Sequence, residues 1–475
     1  MTEPALKLRG RSAKIVATVG PGSRAPDTLK LLAQAGVDVF RLNFSHGTHE
    51  DHHGVLQSIR AVEDELGRPL AILADLQGPK IRVGVFPNDE IRLGYQAEYT
   101  LFAGEETDDE TRIPVPHPEI LAMLAAGDEI LLNDGQLQMT VLEGGKEPRI
   151  RSDLPGKLGN RKGFTVRGKA LPVSAMTDKD RIDLDFALEI GVDIVALSFV
   201  QTVADVEEAK AIIDGRAPLV SKLEKPSAIE HLDAIVRASD AVMVARGDLG
   251  VEFPLEEVPV IQRRIIRSAR FAGRPVIVAT QMLESMIEHA APTRAEASDV
   301  STAVYQGADA VMLSAETAVG RHPATAVAIM HRIMLATEHA DDFQLTVDQF
   351  DGIGPPAWER AVDVVAESVS GLAQQEGAMA IALRTGSIQR LARFSRVRGN
   401  VPILYGSIDP RRLRQAQLLW GVHPHKFEID GSEDWATSLA EAAGLGERFA
   451  YARWRGCDGI FAWEIGSNNY KETDN

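Results

Sequence analysis

The sequence predicts an α/β fold: a (β/α)8 TIM barrel with an inserted small β-barrel lid domain and a C-terminal α/β domain. Three observations carry that expectation. Eight short strings rich in Val, Ile and Ala recur, each followed by a helical pattern. A stretch from about Gly84 to Ala170 breaks the rhythm and alternates on a two-residue period. Beyond Gly352-Ile-Gly-Pro-Pro356, which reads as a linker, strands and helices resume as a separate unit.

The predicted barrel strands are Lys14–Gly20, Val37–Ser45, Leu70–Gly78, Val192–Val200, Pro218–Glu224, Ala241–Gly250, Pro275–Met282 and Ala308–Glu316. Their apolar runs are continuous, as expected of strands covered on both faces. Segments such as Leu255–Ala272 and Arg294–Gln306 space apolar residues by three and four with charges between, the pattern of amphipathic helices. Gly36-Val-Asp38, Gly191-Val-Asp193 and Gly307-Ala-Asp309 read as helix ends turning into strands. In the insertion, Asp134-Gly135 sits between alternating apolar residues and signals a hairpin. Past the linker, strands are expected near Ala378–Leu383, Val401–Tyr405, His423–Ile429 and Gly459–Trp463. The domain expectation is thus barrel over 1–83 and 171–350, lid over 84–170, and a C-terminal α/β domain over 351–475.

Composition narrows the function. The 475 residues are 44% hydrophobic and 25% charged, ordinary for a globular chain. A formal net charge of −17 repels polyphosphate backbones and anionic lipid, so neither nucleic acid nor membrane is an expected partner. A single cysteine, Cys457, excludes an intramolecular disulfide. The first twenty residues lack an apolar core followed by a cleavage site, and the expected location is cytoplasmic.

In a barrel of this kind, chemistry belongs at the C-terminal strand ends. The second strand ends in Arg41-Leu-Asn43-Phe-Ser45-His46, the third in Asp75-Leu-Gln77-Gly-Pro-Lys80-Ile-Arg82, and the fifth in Ser221-Lys222-Leu-Glu224-Lys225. The sixth ends in Arg246-Gly247-Asp248, the seventh in Thr280-Gln281 and the eighth in Ser314-Ala-Glu316. Each residue has a plain structural reading: Asp248 as a helix cap, Glu224 as a solvated partner of Lys225, Lys222 as a stem over apolar surface, His46 as a hydrogen-bonded histidine, Thr280 and Ser314 as rim fillers. Their convergence on one predicted face favours chemistry. Two carboxylates, Glu224 and Asp248, suit Mg²⁺, which takes few protein ligands and keeps water and phosphate oxygens. Arg41, Arg82 and Lys222 can balance a transferring phosphoryl group and a developing enolate. Gly247 and its neighbours can aim backbone N–H groups at a carboxylate. No Gly-x-x-x-x-Gly-Lys-Ser/Thr loop is present, which excludes a P-loop enzyme.

The strings KIVATVGP (14–21), RLNFSHG (41–47), DLQGPKIR (75–82), SKLEKPSAI (221–229), MVARGDLGVE (243–252), VIVATQMLESM (276–286), PTRAEASDV (292–300) and MLSAETAVG (312–320) closely resemble pyruvate kinase. The resemblance implies a Mg²⁺-dependent phosphotransferase acting on phosphoenolpyruvate and ADP to give pyruvate and ATP at the end of glycolysis, assembled as a homotetramer. It implies catalytic roles for Arg41, Lys222, Thr280 and Ser314. It places the substrate against Arg41, Lys222, Gly247, Asp248 and Thr280, and Mg²⁺ on Glu224 and Asp248. It assigns the nucleotide side to Asn43, Ser45, His46, Arg82 and, from the lid, Lys162. Pyruvate aldolases, phosphoenolpyruvate mutases and a non-catalytic metabolite sensor are the competing readings.

Two departures stand out. Where many relatives read Asp-Thr-Lys-Gly-Pro-Glu, Leu76 replaces the Thr that helps coordinate K⁺ beside positions matching Asn43, Ser45 and Asp75, and Lys80 replaces the Glu. The expectation is that the Lys80 ammonium substitutes for the cation and activity is K⁺-independent; a weaker K⁺ site on backbone carbonyls is the alternative. In the C-terminal domain, Arg384-Thr-Gly-Ser-Ile-Gln-Arg-Leu-Ala-Arg393 is one residue short of the family's phosphate loop, and Trp463-Glu-Ile-Gly-Ser-Asn-Asn469 only echoes its tail. Allosteric control by a sugar bisphosphate is therefore not expected; Thr385 and Ser387 either bind a monophosphate effector or serve the fold.

Overall fold

The computed structural model describes residues 10–169, 172–343, 357–378, 380–426, 450–455 and 460–465. Eight parallel strands, Lys14–Val19, Val39–Asn43, Ala71–Asp75, Ile194–Leu197, Leu219–Leu223, Ala241–Ala245, Val276–Ala279 and Ala310–Leu313, pair in sequence order and close into a barrel. Closure pairs the first strand with the eighth, Lys14 against Ala310. Each strand lies inside its predicted stretch and stops short of its C-terminal end. The sixth is the clearest case: Arg246–Glu252 forms a short helix rather than extending the strand through Gly250.

Val16, Val39, Leu73, Val220, Met243 and Ile277 fill the barrel interior. A larger apolar shell lies between strands and helices. Both faces of each strand are therefore dry, which is why the runs read as continuous. Four of the helices begin with reciprocal caps, Thr48 with Asp51, Thr177 with Asp180, Thr202 with Asp205 and Thr293 with Glu296. The two helices anticipated from apolar spacing are Val258–Ala272 and Arg294–Tyr305.

The Gly-x-Asp motifs staple the base of the barrel. Gly36, Gly191 and Gly307 adopt φ of 136°, 84° and 90° at helix ends. The aspartates then accept a backbone N–H from a neighbouring strand: Asp38 from Ile15 at 2.8 Å, Asp193 from Ile72 at 2.8 Å and Asp309 from Val276 at 3.0 Å. Asp240 does the same for Leu219 at 2.9 Å. All but Asp240 are fully buried, and each carboxylate faces a cation, Arg11, Arg60, Arg398 and Lys210 respectively.

The insertion forms a six-stranded and a two-stranded sheet around its own core, which includes Leu101, Ile113, Ile130, Leu132, Met139 and Val141. Glu129–Leu132 and Leu137–Glu143 make the expected hairpin. Its turn runs through left-handed Asn133, Asp134 and Gly135. The chain enters and leaves this unit side by side, with Val83 N–H on Lys162 O at 2.9 Å and Phe164 N–H on Ile81 O at 3.0 Å.

The C-terminal sheet has the order Val422–Lys426, Ile403–Ser407, Ile381–Arg384, Ala450–Arg455, Ile460–Ile465. Four of these strands were anticipated. Ala450–Arg455 was not, and the last strand pairs with it antiparallel. This unit docks on the barrel base: Arg398 pairs with Asp309 at 2.8 Å, Arg414 with Glu63 at 2.8 Å, and Lys14 Nζ donates to Val422 O at 2.5 Å. The 352–356 linker, residues 427–429, Cys457 and the 466–469 echo lie outside the described residues. Among the described residues no helix is long and apolar enough to cross a membrane.

Candidate active site

The rim opposite the C-terminal domain is organised around Asp75, the last residue of the third strand. Arg41 Nε donates to Asp75 Oδ2 at 2.6 Å, and Arg41 Nη1 donates to Thr18 Oγ1 at 3.0 Å. Lys222 Nζ lies 3.2 Å from Asp75 Oδ1 and 3.1 Å from Glu224 Oε1, and donates to Ser198 Oγ at 2.7 Å. Ser198 in turn donates to Leu76 O at 2.7 Å. Glu224 Oε2 accepts the Phe199 N–H at 3.0 Å.

These charges are nearly dry. The Lys222 side chain is 12% exposed, and those of Asp75 and Glu224 are 1% exposed. Burial alone would lower the Lys222 ammonium, but Asp75 and Glu224 overcome it and hold it above the usual lysine range. Burial alone would raise Asp75; Lys222 and Arg41 outweigh it and hold that carboxyl below its ordinary value. Glu224 is pushed up to about 7, first by burial and then by the charge of Asp248, against the pull of Lys222. Two of the plain structural readings fail here. Glu224 is not a solvated partner of Lys225, which pairs instead with buried Glu252, and the Lys222 charge is not left in water.

The next three strands bring up hydroxyls and backbone. Gly247 N–H donates to Thr280 Oγ1 at 2.8 Å, so this amide is already partnered. Thr280 Oγ1 donates to Ala279 O at 2.6 Å. Ser314 Oγ is buried with no hydrogen-bond partner, while its N–H is fixed by Glu316 Oε2 at 2.7 Å.

The loop after the second strand and the lid border the rest of the rim. Asn43 Oδ1 accepts the Ser45 N–H at 3.2 Å, and exposed His46 offers its carbonyl to the His52 ring at 3.0 Å. Arg82 Nη1 donates to Arg161 O at 3.0 Å, next to exposed Lys162. Lys80 Nζ pairs with Asp134 of the lid hairpin at 3.1 Å. Lys80 is therefore not brought into ion-pair range of Asp75, whose cationic partners are Arg41 and Lys222. Leu76 is buried in the apolar shell, its side chain offering no oxygen.

Glu224 and Asp248 line one narrow cleft under the lid, beside Lys225 and Phe164. Glu224 Oε1 accepts no aligned hydrogen bond there. A buried carboxylate oxygen with the Lys222 ammonium 3.1 Å away, beside a second carboxylate, fits a hard dication that completes its shell with water and substrate oxygens. Among the described residues no group of three His, Cys, Asp or Glu side chains gathers as a metal nest. In the C-terminal domain, Ser387 caps Ile388–Arg396 through the Arg390 N–H at 3.3 Å, and Thr385 Oγ1 accepts the Ser387 N–H at 3.2 Å, so both hydroxyls serve local structure.

Sequence reasoning passed over Ser198, Thr18, Arg246 and Glu252. Thr18 lies one residue before the end of the first strand and Ser198 directly after the fourth, both within runs that read as apolar. Arg246 stood in plain view at a strand end without an assigned role.

Fold and site together define a lidded barrel enzyme whose rim concentrates positive charge on buried carboxylates. The family model for the pyruvate kinase barrel domain matches residues 10–327, and that for the pyruvate kinase alpha/beta domain matches residues 363–452. Similar proteins include a pyruvate kinase of Agrobacterium vitis, 46% identical over 92% of this chain and 93% of its own. Those of Methylorubrum extorquens and Mycobacterium tuberculosis are 43% identical (93% of this chain, 92% of theirs) and 41% identical (87% of each). The chain belongs to the pyruvate kinase family and is a phosphotransferase of that family.

Proposed function

We propose that this chain transfers the phosphoryl group of phosphoenolpyruvate to ADP, giving ATP and pyruvate. The observation that carries the reading is the Lys222 ammonium held among Ser198, Asp75 and Glu224 at the rim. As the bond between phosphorus and the enol oxygen breaks and the new bond to the terminal ADP oxygen forms, negative charge develops on the enol oxygen. Lys222 meets that charge, and Arg41 steadies the phosphoryl oxygens. The enolate then takes a proton on its terminal carbon, with Thr280 and Ser314 ordering the water that delivers it. The partner-free buried Ser314 hydroxyl supports this role.

Glu224 and Asp248 would hold Mg²⁺, which when bound supplies charge neutralisation for the phosphates. Gly247, Asp248 and Thr280 cradle the pyruvate moiety; Asn43, Ser45, His46, Arg82 and Lys162 face the nucleotide. Closure of the lid excludes water from the transfer. Activity without K⁺ is part of the proposal, supported by the buried apolar side chain of Leu76, as are a cytoplasmic location and assembly as a homotetramer. The test is a lactate-dehydrogenase-coupled assay with phosphoenolpyruvate, ADP and Mg²⁺. ADP-dependent pyruvate formation that disappears in Lys222→Ala is expected; a folded parent protein that forms none would overturn the reading.

A further inference from the structure

Thr280 and Gln281 follow the seventh strand with φ of 70° and 53°. A side chain branched at Cβ enters this left-handed region only when its surroundings impose it. What imposes it is Arg246, at the end of the sixth strand. Its Nη2 donates to Thr280 O at 2.5 Å and to Gln281 O at 3.2 Å, and its Nε to Ala279 O at 3.3 Å. Nη1 is anchored on Asp299 at 2.7 Å. Three successive carbonyls therefore converge on one planar fork, which the point charge of a lysine cannot reproduce. Every guanidinium nitrogen is engaged by protein. From the far side of the same turn, buried Glu316 accepts the Leu283 N–H at 3.0 Å.

The outcome of this turn is the position of one hydroxyl. Thr280 Oγ1 accepts the N–H of Gly247, the residue directly after Arg246, at 2.8 Å. The two strand ends are thus locked twice, once through the guanidinium and once through the hydroxyl.

We infer that Arg246, held by Asp299, is a positioning residue for the reaction: it fixes the left-handed turn that sets the Thr280 hydroxyl at the rim, and it acts through that hydroxyl. The inference rests on Thr280 belonging to the reacting pocket, as proposed above.

A double-mutant cycle tests it, read as kcat/KM for phosphoenolpyruvate, with thermal midpoints taken alongside. In the parent, Arg246→Lys is expected to lower kcat/KM by at least about tenfold; in a Thr280→Ala background the same change is expected to cost less than about threefold, because the hydroxyl it positions is gone. An equal loss in both backgrounds would overturn the inference, since a merely structural role is additive. Parent-like activity of Arg246→Lys would overturn it too. Should that variant fail to fold, Asp299→Asn takes its place in the cycle under the same criteria. A parent that forms no pyruvate overturns the functional reading and this inference together; an active parent with additive losses overturns this inference alone.

Discussion

Lys222 Nζ lies 3.1 Å from Glu224 Oε1 and 3.2 Å from Asp75 Oδ1, so one ammonium neutralises two buried carboxylates. Lys222→Ala would leave both carboxylates in a dry rim with only Arg41 nearby. Removing one partner of such a buried pair costs roughly 3–5 kcal/mol. The variant is therefore expected to melt well below the parent as well as to lose activity by at least about a thousandfold. Parallel thermal denaturation and the coupled assay check both. A variant as stable as the parent would contradict the burial argument.

Glu224 titrates at about 7, above the ordinary glutamate value, because burial and the neighbouring charge of Asp248 oppose its ionisation. For a carboxyl raised in the folded state, stability is greatest with the proton on and declines as pH rises from the ordinary value through 7. Metal-free protein is thus expected to lose stability from this group between about pH 4.5 and 7. Glu224→Gln should flatten that part of the profile. Mg²⁺ needs the ionised form, so its apparent affinity should rise with pH up to about 7 and then level, with proton release visible by calorimetry in buffers of different ionisation heat.

Gly78 turns the chain toward the lid at φ 70°, and a Cβ there would lie 2.6 Å from Phe199 Cδ2 and 2.9 Å from Ser198 Cβ. Gly78→Ala combines backbone strain with a clash against the residue that partners Lys222. A loss of roughly 2–4 kcal/mol is expected from denaturant titration. A change under about 1 kcal/mol would mean that the loop relaxes freely.

Lys80 and Asp134 form an ion pair whose side chains are 32% and 68% exposed, and such a pair contributes little to stability. Asp134→Asn should shift stability by less than about 1 kcal/mol. Any larger effect should fall on the KM for ADP, since this pair ties the lid hairpin to the barrel. Assays buffered with tetramethylammonium and no K⁺ should run within about twofold of assays with K⁺, because Leu76 offers no ligand oxygen. A strict K⁺ requirement would remove that part of the functional proposal.

Much of this fold is legible in the sequence. Runs such as Ala71–Asp75 betray a strand buried on both faces, and the polar residues that end them mark the rim. The ends of the ladders were less legible, because a strand stops where backbone partners stop. Gly247 and Asp248 could extend a strand or open a helix, and only packing against the seventh strand decides. The strand Ala450–Arg455 gives no such signal because Arg453 and Arg455 interrupt its apolar run. Side-chain partnerships across distant segments were the least legible. Lys80 has the right residue type for a cation substitute beside Asp75, yet Asp134, supplied by the lid far along the chain, lies within its reach. Arg246 carries no sequence signal of its role, because the carbonyls it binds belong to backbone, which every residue has alike.

The pairing of Lys14 with Ala310 also sets a timetable for synthesis. The barrel cannot close until about 300 residues have followed its first strand, and at about 5–20 residues per second that is a wait of roughly 15–60 seconds. The lid needs no such delay, since its hairpins pair neighbours in the chain and its core is its own. On a ribosome the inserted unit is therefore complete while the barrel that carries it is still an open, sticky-edged sheet. Protease protection in stalled nascent chains is expected to appear over the lid first and over the first barrel strand last.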